Sequence, residues 1–172
     1  MGKIEIRDAV PGDEHIIHDL AWATWWKAYG DIVSDEQIRY MLELLYNEVA
    51  LRRLIDQGEQ QFILLCVDDR PQGFAAYAPR PEDPTVYKLH KLYVHPDCQG
   101  KGYGRRLLNE ITRRLIAQQI SVLDLNVNRK NPAFEFYRGL GFTVLRQEDV
   151  PIGPYWMNDH VMRLHIPIQG LA

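Results

Sequence analysis

A chain of 172 residues, 46% hydrophobic and 25% charged, is long enough for one domain with a real core, short for two, and too apolar to be wholly disordered. Its net charge of -3 argues against general nucleic-acid binding and leaves room for a cationic partner. No apolar run approaches the roughly 20 residues of a membrane span, and the opening MGKIEIRDAVPGD lacks a signal-peptide core, so a cytoplasmic protein away from membranes is expected.

Ile4-Glu5-Ile6-Arg7 alternates like a first strand, and Pro11-Gly12-Asp13 offers a turn and a helix cap. From Glu14 to Lys27, Ile16, Ile17, Leu20, Ala21 and Thr24 recur at helical spacing, with Trp22, Trp25 and Trp26 wrapping further round. Three tryptophans exceed what one buried stripe needs. They either pack between helices, or Trp25, Trp26 and Tyr29 line a substrate pocket. Ser34-x-x-Gln37 is a capping-box pattern opening a second helix with Ile38, Met41, Leu42 and Leu45 in one stripe, and a third stretch through Leu51, Leu54 and Ile55 ends near Gly58.

Gln61 to Val67 and Gly73 to Ala78 read as an antiparallel hairpin joined by a long turn, Asp68 to Gln72, and Pro79 to Pro84 as a proline-rich loop. The stretch from Tyr87 to Leu108 is a strand, a loop and a helix. Gly100, Gly102 and Gly104 alternate just before the helix, where backbone N–H groups sit at the positive end of its dipole and side chains are absent. Such a turn is an anion cradle, most naturally for phosphate. A dinucleotide fingerprint starting at Gly100 would need glycine where Arg105 stands, and the Gly-Lys-Ser/Thr of a P-loop never occurs. The pattern present is Gln-x-x-Gly-x-Gly, Gln99 to Gly104.

The helix from Arg105 to Gln118 carries Leu107, Leu108, Ile111, Leu115 and Ile116 on one face. A strand, Val122 to Val127, leads to an Asn-Pro helix start at Asn131-Pro132, a short helix carrying Phe134, Phe136 and Tyr137, and a glycine exit. The tail reads as two strands, Phe142 to Gln147 and His160 to Ile166, around a loop PIGPYWMND. Of the two cysteines, Cys66 lies in an apolar strand and Cys98 in the cradle loop, where no base is placed beside it by sequence. The histidines show no metal spacing, and no metal is expected.

Two blocks in this order, LYVHPDCQGKGYGRRLL and NPAFEFYRGLGF, resemble the pyrophosphate-binding motif and the second cofactor-contacting motif of the GNAT superfamily of acyl-CoA N-acyltransferases. The resemblance is dense from Tyr87 to Phe142. It implies a single α/β domain over residues 1–172, with a mixed, mostly antiparallel sheet whose central strands splay, and acetyl-CoA as co-substrate. In layout the chain resembles small bacterial acetyltransferases of polyamines and other amines. The acceptor would be a small-molecule or peptide amine, and a homodimer is left open.

The resemblance assigns roles residue by residue. Backbone amides of Gln99, Gly100, Lys101, Gly102, Tyr103, Gly104 and Arg105 would hold the pyrophosphate, with Lys101 and Arg105 or Arg106 adding charge unless they only solvate the helix. The backbone of Leu92, Tyr93 and Val94 would pair with the pantetheine arm, one amide, that of Leu92, polarising the thioester carbonyl. Tyr137 falls where the family carries a tyrosine that can protonate the departing thiolate; alternatively it packs under the cofactor with Phe134. Asn131 would lie near the pantetheine, or only cap its helix. Many relatives place a glutamate base where this chain has His90, which would act near neutral pH or be only a hydrogen-bonded strand residue. The missing glutamate keeps a second reading open, a domain that binds acyl-CoA without transferring it.

Overall fold

The computed structural model describes residues 2–168. Met1 and residues 169–172 of the expected domain lie outside them. Strands β1 (Ile4–Asp8), β2 (Gln61–Val67), β3 (Arg70–Arg80), β4 (Asp83–Val94), β5 (Val122–Asn128), β6 (Thr143–Ile152) and β7 (Tyr155–His165) form one seven-stranded sheet in the order β1-β2-β3-β4-β5-β7-β6. The helices are α1 (Glu14–Tyr29), α2 (Asp35–Leu45), α3 (Glu48–Asp56), α4 (Tyr103–Ala117) and α5 (Ala133–Gly139). The sheet is mixed and mostly antiparallel, as expected. Its β4–β5 ladder is parallel and runs from Val86↔Val122 to Leu89↔Leu125, while β4 itself continues to Val94 and β5 to Asn128.

The chain divides into two compact units, residues 1–78 with 91–111, and residues 79–90 with 112–172. In the first, β1 and β3 flank β2, whose Phe62, Ile63, Leu64 and Leu65 are all buried because both faces of the strand are covered. Ser34 caps α2 by accepting from the Gln37 amide, and Asn47 does the same for α3 through Ala50. Asp13 stands at the start of α1 but makes no side-chain cap. Its carboxylate is taken by the Val10 amide and the Arg7 guanidinium, each at 2.8 Å, which fastens the helix start to β1.

The expected long turn after β2 is a two-residue hairpin. Asp68 and Asp69 both adopt positive φ, 50° and 67°, the conformation a tight hairpin demands and one that Asp tolerates. In the second unit, β5 and β6 both pair with β7. The expected loop PIGPYWMND is also mostly strand, because Gly153, at φ 56°, and Pro154 turn the chain in two residues and let the ladder extend to Ile152↔Tyr155. Of the α4 stripe, Leu107, Leu108, Ile111 and Leu115 are buried, each contributing about 2 kcal/mol of hydrophobic stabilisation. Ile116 faces outward instead.

Candidate functional site

In the first unit the cradle is built by tethering the loop after β4. The His95 amide donates to the Gln72 carbonyl at 2.7 Å, a single 3₁₀ turn at Pro96–Cys98 follows, and the Gln99 side-chain amide donates back to the Val94 carbonyl at 3.3 Å. The chain then passes through Gly100 and Gly102, both left-handed at φ 82° and 81°, before Tyr103 opens α4. A Cβ added at either glycine would meet nothing within 4 Å. Glycine is therefore needed here for backbone conformation, and the turn leaves open space over amides at the head of a fifteen-residue helix. Lys101, Arg105 and Arg106 are exposed beside it. Tyr103 is buried and anchors the helix start, while Gly104 already lies within the helix.

Leu92, Tyr93 and Val94 are half-buried at the end of β4. Tyr93 belongs to an aromatic cluster with Trp25, Tyr29, Tyr46 and Phe74, the Trp25 and Tyr29 rings lying 4.5 Å apart and the Tyr29 and Tyr93 hydroxyls 3.3 Å apart. Trp25 is 4% exposed, and its indole N–H has no hydrogen-bond partner among the described residues. Trp26 points elsewhere, 6.3 Å from Trp22 and with the Arg39 guanidinium over its ring. The structure thus groups Trp25 and Tyr29 with Tyr93 and separates Trp26 from them. Cys98 donates to the Gln72 side chain at 3.4 Å, a loop-packing contact.

In the second unit, Tyr137 is 8% exposed and wedged between Phe136 and Phe142, ring centroids 5.2 and 5.7 Å away. Asn131 uses its side-chain oxygen to accept from the Ala133 amide at 2.9 Å, fixing the start of α5. Phe134 on the same helix packs against the His160 ring at 4.9 Å. His90 is exposed on β4.

The ladder register shows what the sequence reading missed. Residues paired across a sheet share a face, so Lys88, Asp124, Asn126, Asn128, Asp159 and Arg163 all line the face that His90 shares, opposite the one on which Phe134 meets His160. Asp124 is fully buried and receives Arg80 Nε at 2.8 Å and Arg163 Nε at 2.7 Å. Burial pushes its carboxyl upward, but the hydrogen bonds and charges of the two arginines together hold it below the ordinary value. Asp159, 8% exposed, has no such hydrogen-bonded arginine among the described residues. Its carboxylate accepts one hydrogen bond, from the Asn126 side-chain amide at 3.2 Å, and burial raises it above the ordinary carboxylate range. Lys88 is held below its ordinary value, first by burial and then by the Arg80 charge. Alternation in LDLNVN was the available signal for this face, but the reading of WMND as loop hid Asp159.

Among the described residues no group of three or more His, Cys, Asp or Glu is placed to hold a metal, and no helix is long and apolar enough to cross a membrane.

The strand, glycine turn and helix of the first unit, and the capped aromatic helix of the second, coincide with a family model. The acetyltransferase (GNAT) domain model matches residues 31–156, and the chain belongs to that family. A solved PaiA N-acetyltransferase from Thermoplasma acidophilum, in complex with coenzyme A, is 26% identical with a TM-score of 0.82, over 95% of this chain and 99% of that one. The ribosomal-protein-S18-alanine N-acetyltransferase of Escherichia coli, at 20% identity and a TM-score of 0.72 over 98% and 97% of the two chains, shares the fold. Among sequence relatives, a mycothiol acetyltransferase of Kineococcus radiotolerans is 30% identical over 81% of this chain and 43% of its own length. An uncharacterized N-acetyltransferase of Methanocaldococcus jannaschii is 31% identical over 52% of this chain and 42% of its own. The chain therefore spans less than half the length of these two sequence relatives.

Proposed function

We propose that this protein transfers an acetyl group from acetyl-CoA to a primary amine, in one domain and without an acyl-enzyme. The observation that carries the reading is the pair of left-handed glycines, Gly100 and Gly102, holding an open turn at the head of α4 in a chain of the GNAT family. Backbone conformation and open space suit a pyrophosphate, which needs several N–H donors converging without side chains in the way. The coenzyme A held by the PaiA N-acetyltransferase supports the same assignment.

Acetyl-CoA supplies the acetyl group as a thioester. Amides from Gln99 to Arg105 hold its pyrophosphate, Lys101 and Arg105 add charge to that end, and the backbone of Leu92 to Val94 orients the arm. The Leu92 amide donates to the thioester carbonyl oxygen, where negative charge grows as the amine attacks. Tyr137 gives its phenolic proton to the leaving sulfur, an acid of ordinary pKa about 10 matched to a thiolate. His90 is the strand residue that relays a proton from the amine. Trp25 and Tyr29 bound the acceptor, a small-molecule or peptide amine. Direct transfer is supported by the cysteines: Cys66 is buried in β2, and the Cys98 thiol donates to the Gln72 side-chain oxygen, which is not a base.

Release of free thiol from acetyl-CoA, measured with a panel of polyamines, amino acids and peptides with free N-termini, tests the reading. Amine-dependent turnover is the expected outcome; tight acetyl-CoA binding with no turnover on any amine makes the protein a binding module.

A further inference from the structure

We infer that Asp159 is the acceptor-side carboxylate of the transfer, binding the acceptor as an ammonium ion and taking the proton that must leave before its nitrogen can attack. This rests on the function proposed above and adds the group that selects a cationic amine.

The argument begins with Asp124 and Asp159, both more than nine-tenths buried on one face of the second unit. A carboxylate removed from water is ordinarily paired, because an uncompensated buried charge is strongly destabilising. Asp124 obeys this rule through Arg80 and Arg163. Asp159 does not. Its single hydrogen bond comes from a neutral amide, and no lysine or arginine pairs with its side chain among the described residues. Arg129 lies next to it in the fold, yet its Nε donates to the Asp159 backbone carbonyl at 3.3 Å and its terminal nitrogen to Asp149 at 2.6 Å. The hydrogen bonds of this arginine thus go elsewhere, and its charge reaches the Asp159 carboxylate only through space.

The groups facing Asp159 come from three strands. Lys88 lies on β4, Asn126 and Asn128 on β5, and Glu148 directly opposite on β6, and the charge of Arg129, just after β5, also acts on it. Glu148 is already matched by Arg146 at 3.2 Å, while Lys88 and Arg129 act on Asp159 through space and make no ion pair with its side chain among the described residues. Asn126 fixes one Asp159 oxygen, so the carboxylate is oriented before a ligand arrives. A carboxylate with capacity for several hydrogen bonds and only one made retains room for an ammonium with three donors.

Proton and bond balance follow directly. The ammonium gives one proton to Asp159 by way of His90, its nitrogen forms the C–N bond at the acetyl carbon, and the C–S bond breaks. The nitrogen's second proton leaves as the sulfur gains one from Tyr137, which is restored from that nitrogen through solvent. The sum is an amide, a thiol and one proton released from Asp159 to water. Burial, the largest cause, places the Asp159 carboxyl above its ordinary value, with Glu148 pushing the same way and Asn126, Lys88 and Arg129 pulling back, which brings it nearer the amine it must deprotonate.

The test uses the full chain and the best amine of the thiol-release panel. Asp159→Asn is expected to leave acetyl-CoA affinity by calorimetry unchanged, to raise the KM for amine at least tenfold, and to lower kcat by roughly 10²-fold. The loss of kcat/KM should be largest at low pH, where few acceptor molecules are already neutral, should shrink as pH rises, and should be largely restored in Asp159→Glu. Its melting temperature at pH 7 should equal or exceed wild type, since a buried charge is removed. Wild-type kinetics and pH profile in Asp159→Asn overturn the inference while leaving acetyl transfer standing. So does a pH-independent loss accompanied by a lower melting temperature, which makes Asp159 structural. If wild type turns over no amine at all, the proposed function itself fails and the inference falls with it.

Discussion

Asp124 and Arg163 face each other across the β5–β7 ladder, and the Arg163 guanidinium donates to both Asp124 oxygens, at 2.7 and 3.0 Å. Arg80 closes the network from β3 at 2.8 Å. Removing one partner of a buried pair strands the rest, so Asp124→Asn should lower stability by about 3 kcal/mol in urea titrations at pH 7. The sign of the pH dependence follows from the lowered carboxyl. A depressed folded value contributes stability that is present above the unfolded value and lost as pH falls through the folded one, so wild type and Asp124→Asn should converge in acid. A constant difference down to acid pH would show that the network contributes through packing and not charge.

Gly102→Glu should abolish acetyl-CoA binding in a protein that still folds. Space exists for the added carbon, but φ 81° disfavours any side chain, and a carboxylate would stand where amides are to meet pyrophosphate. The strain of a left-handed non-glycine residue costs roughly 1–2 kcal/mol, too little to unfold a typical domain. Circular dichroism checks folding and calorimetry checks affinity; unaltered affinity would sink the cradle assignment.

Tyr137→Phe preserves the ring that packs against Phe136 and Phe142 and deletes only the hydroxyl. Cofactor affinity should hold, while kcat falls by roughly 10²–10⁴-fold, the range general acid catalysis supplies. Full turnover in the variant would leave Tyr137 as a packing residue.

His90→Ala should depress kcat/KM most at low pH, where few acceptor molecules are already neutral, and the loss should shrink as pH rises toward the acceptor's own pKa. A melting temperature equal to wild type would separate such a profile from a folding defect. A parallel offset at every pH would assign it to positioning substrate and leave proton removal to other groups.

How much of this was legible beforehand depends on the range of the interaction. Gln99-x-x-Gly-x-Gly and Asn131-Pro132 announce themselves because their physics is local: a left-handed turn needs glycine, and a helix start needs a short polar side chain within two residues. The periodicity of α1 and α2 was likewise local, and so was the Ser34 cap. Turn lengths were misjudged at Asp68-Asp69 and Gly153-Pro154. There the ladder on either side, not the turn residues, decides how far strands extend.

By itself the sequence determined the order of elements, the anion cradle before α4 and the aromatic helix carrying Tyr137. It also held Asp124, Asn126 and Asp159, but as residues of no evident connection. Tertiary structure alone decided that Asp124 would be claimed by arginines from two other strands and Asp159 by a single neutral amide. The reason is register. A residue's partners across a sheet lie dozens of positions away, and a shift of one would turn each of these side chains to the opposite face.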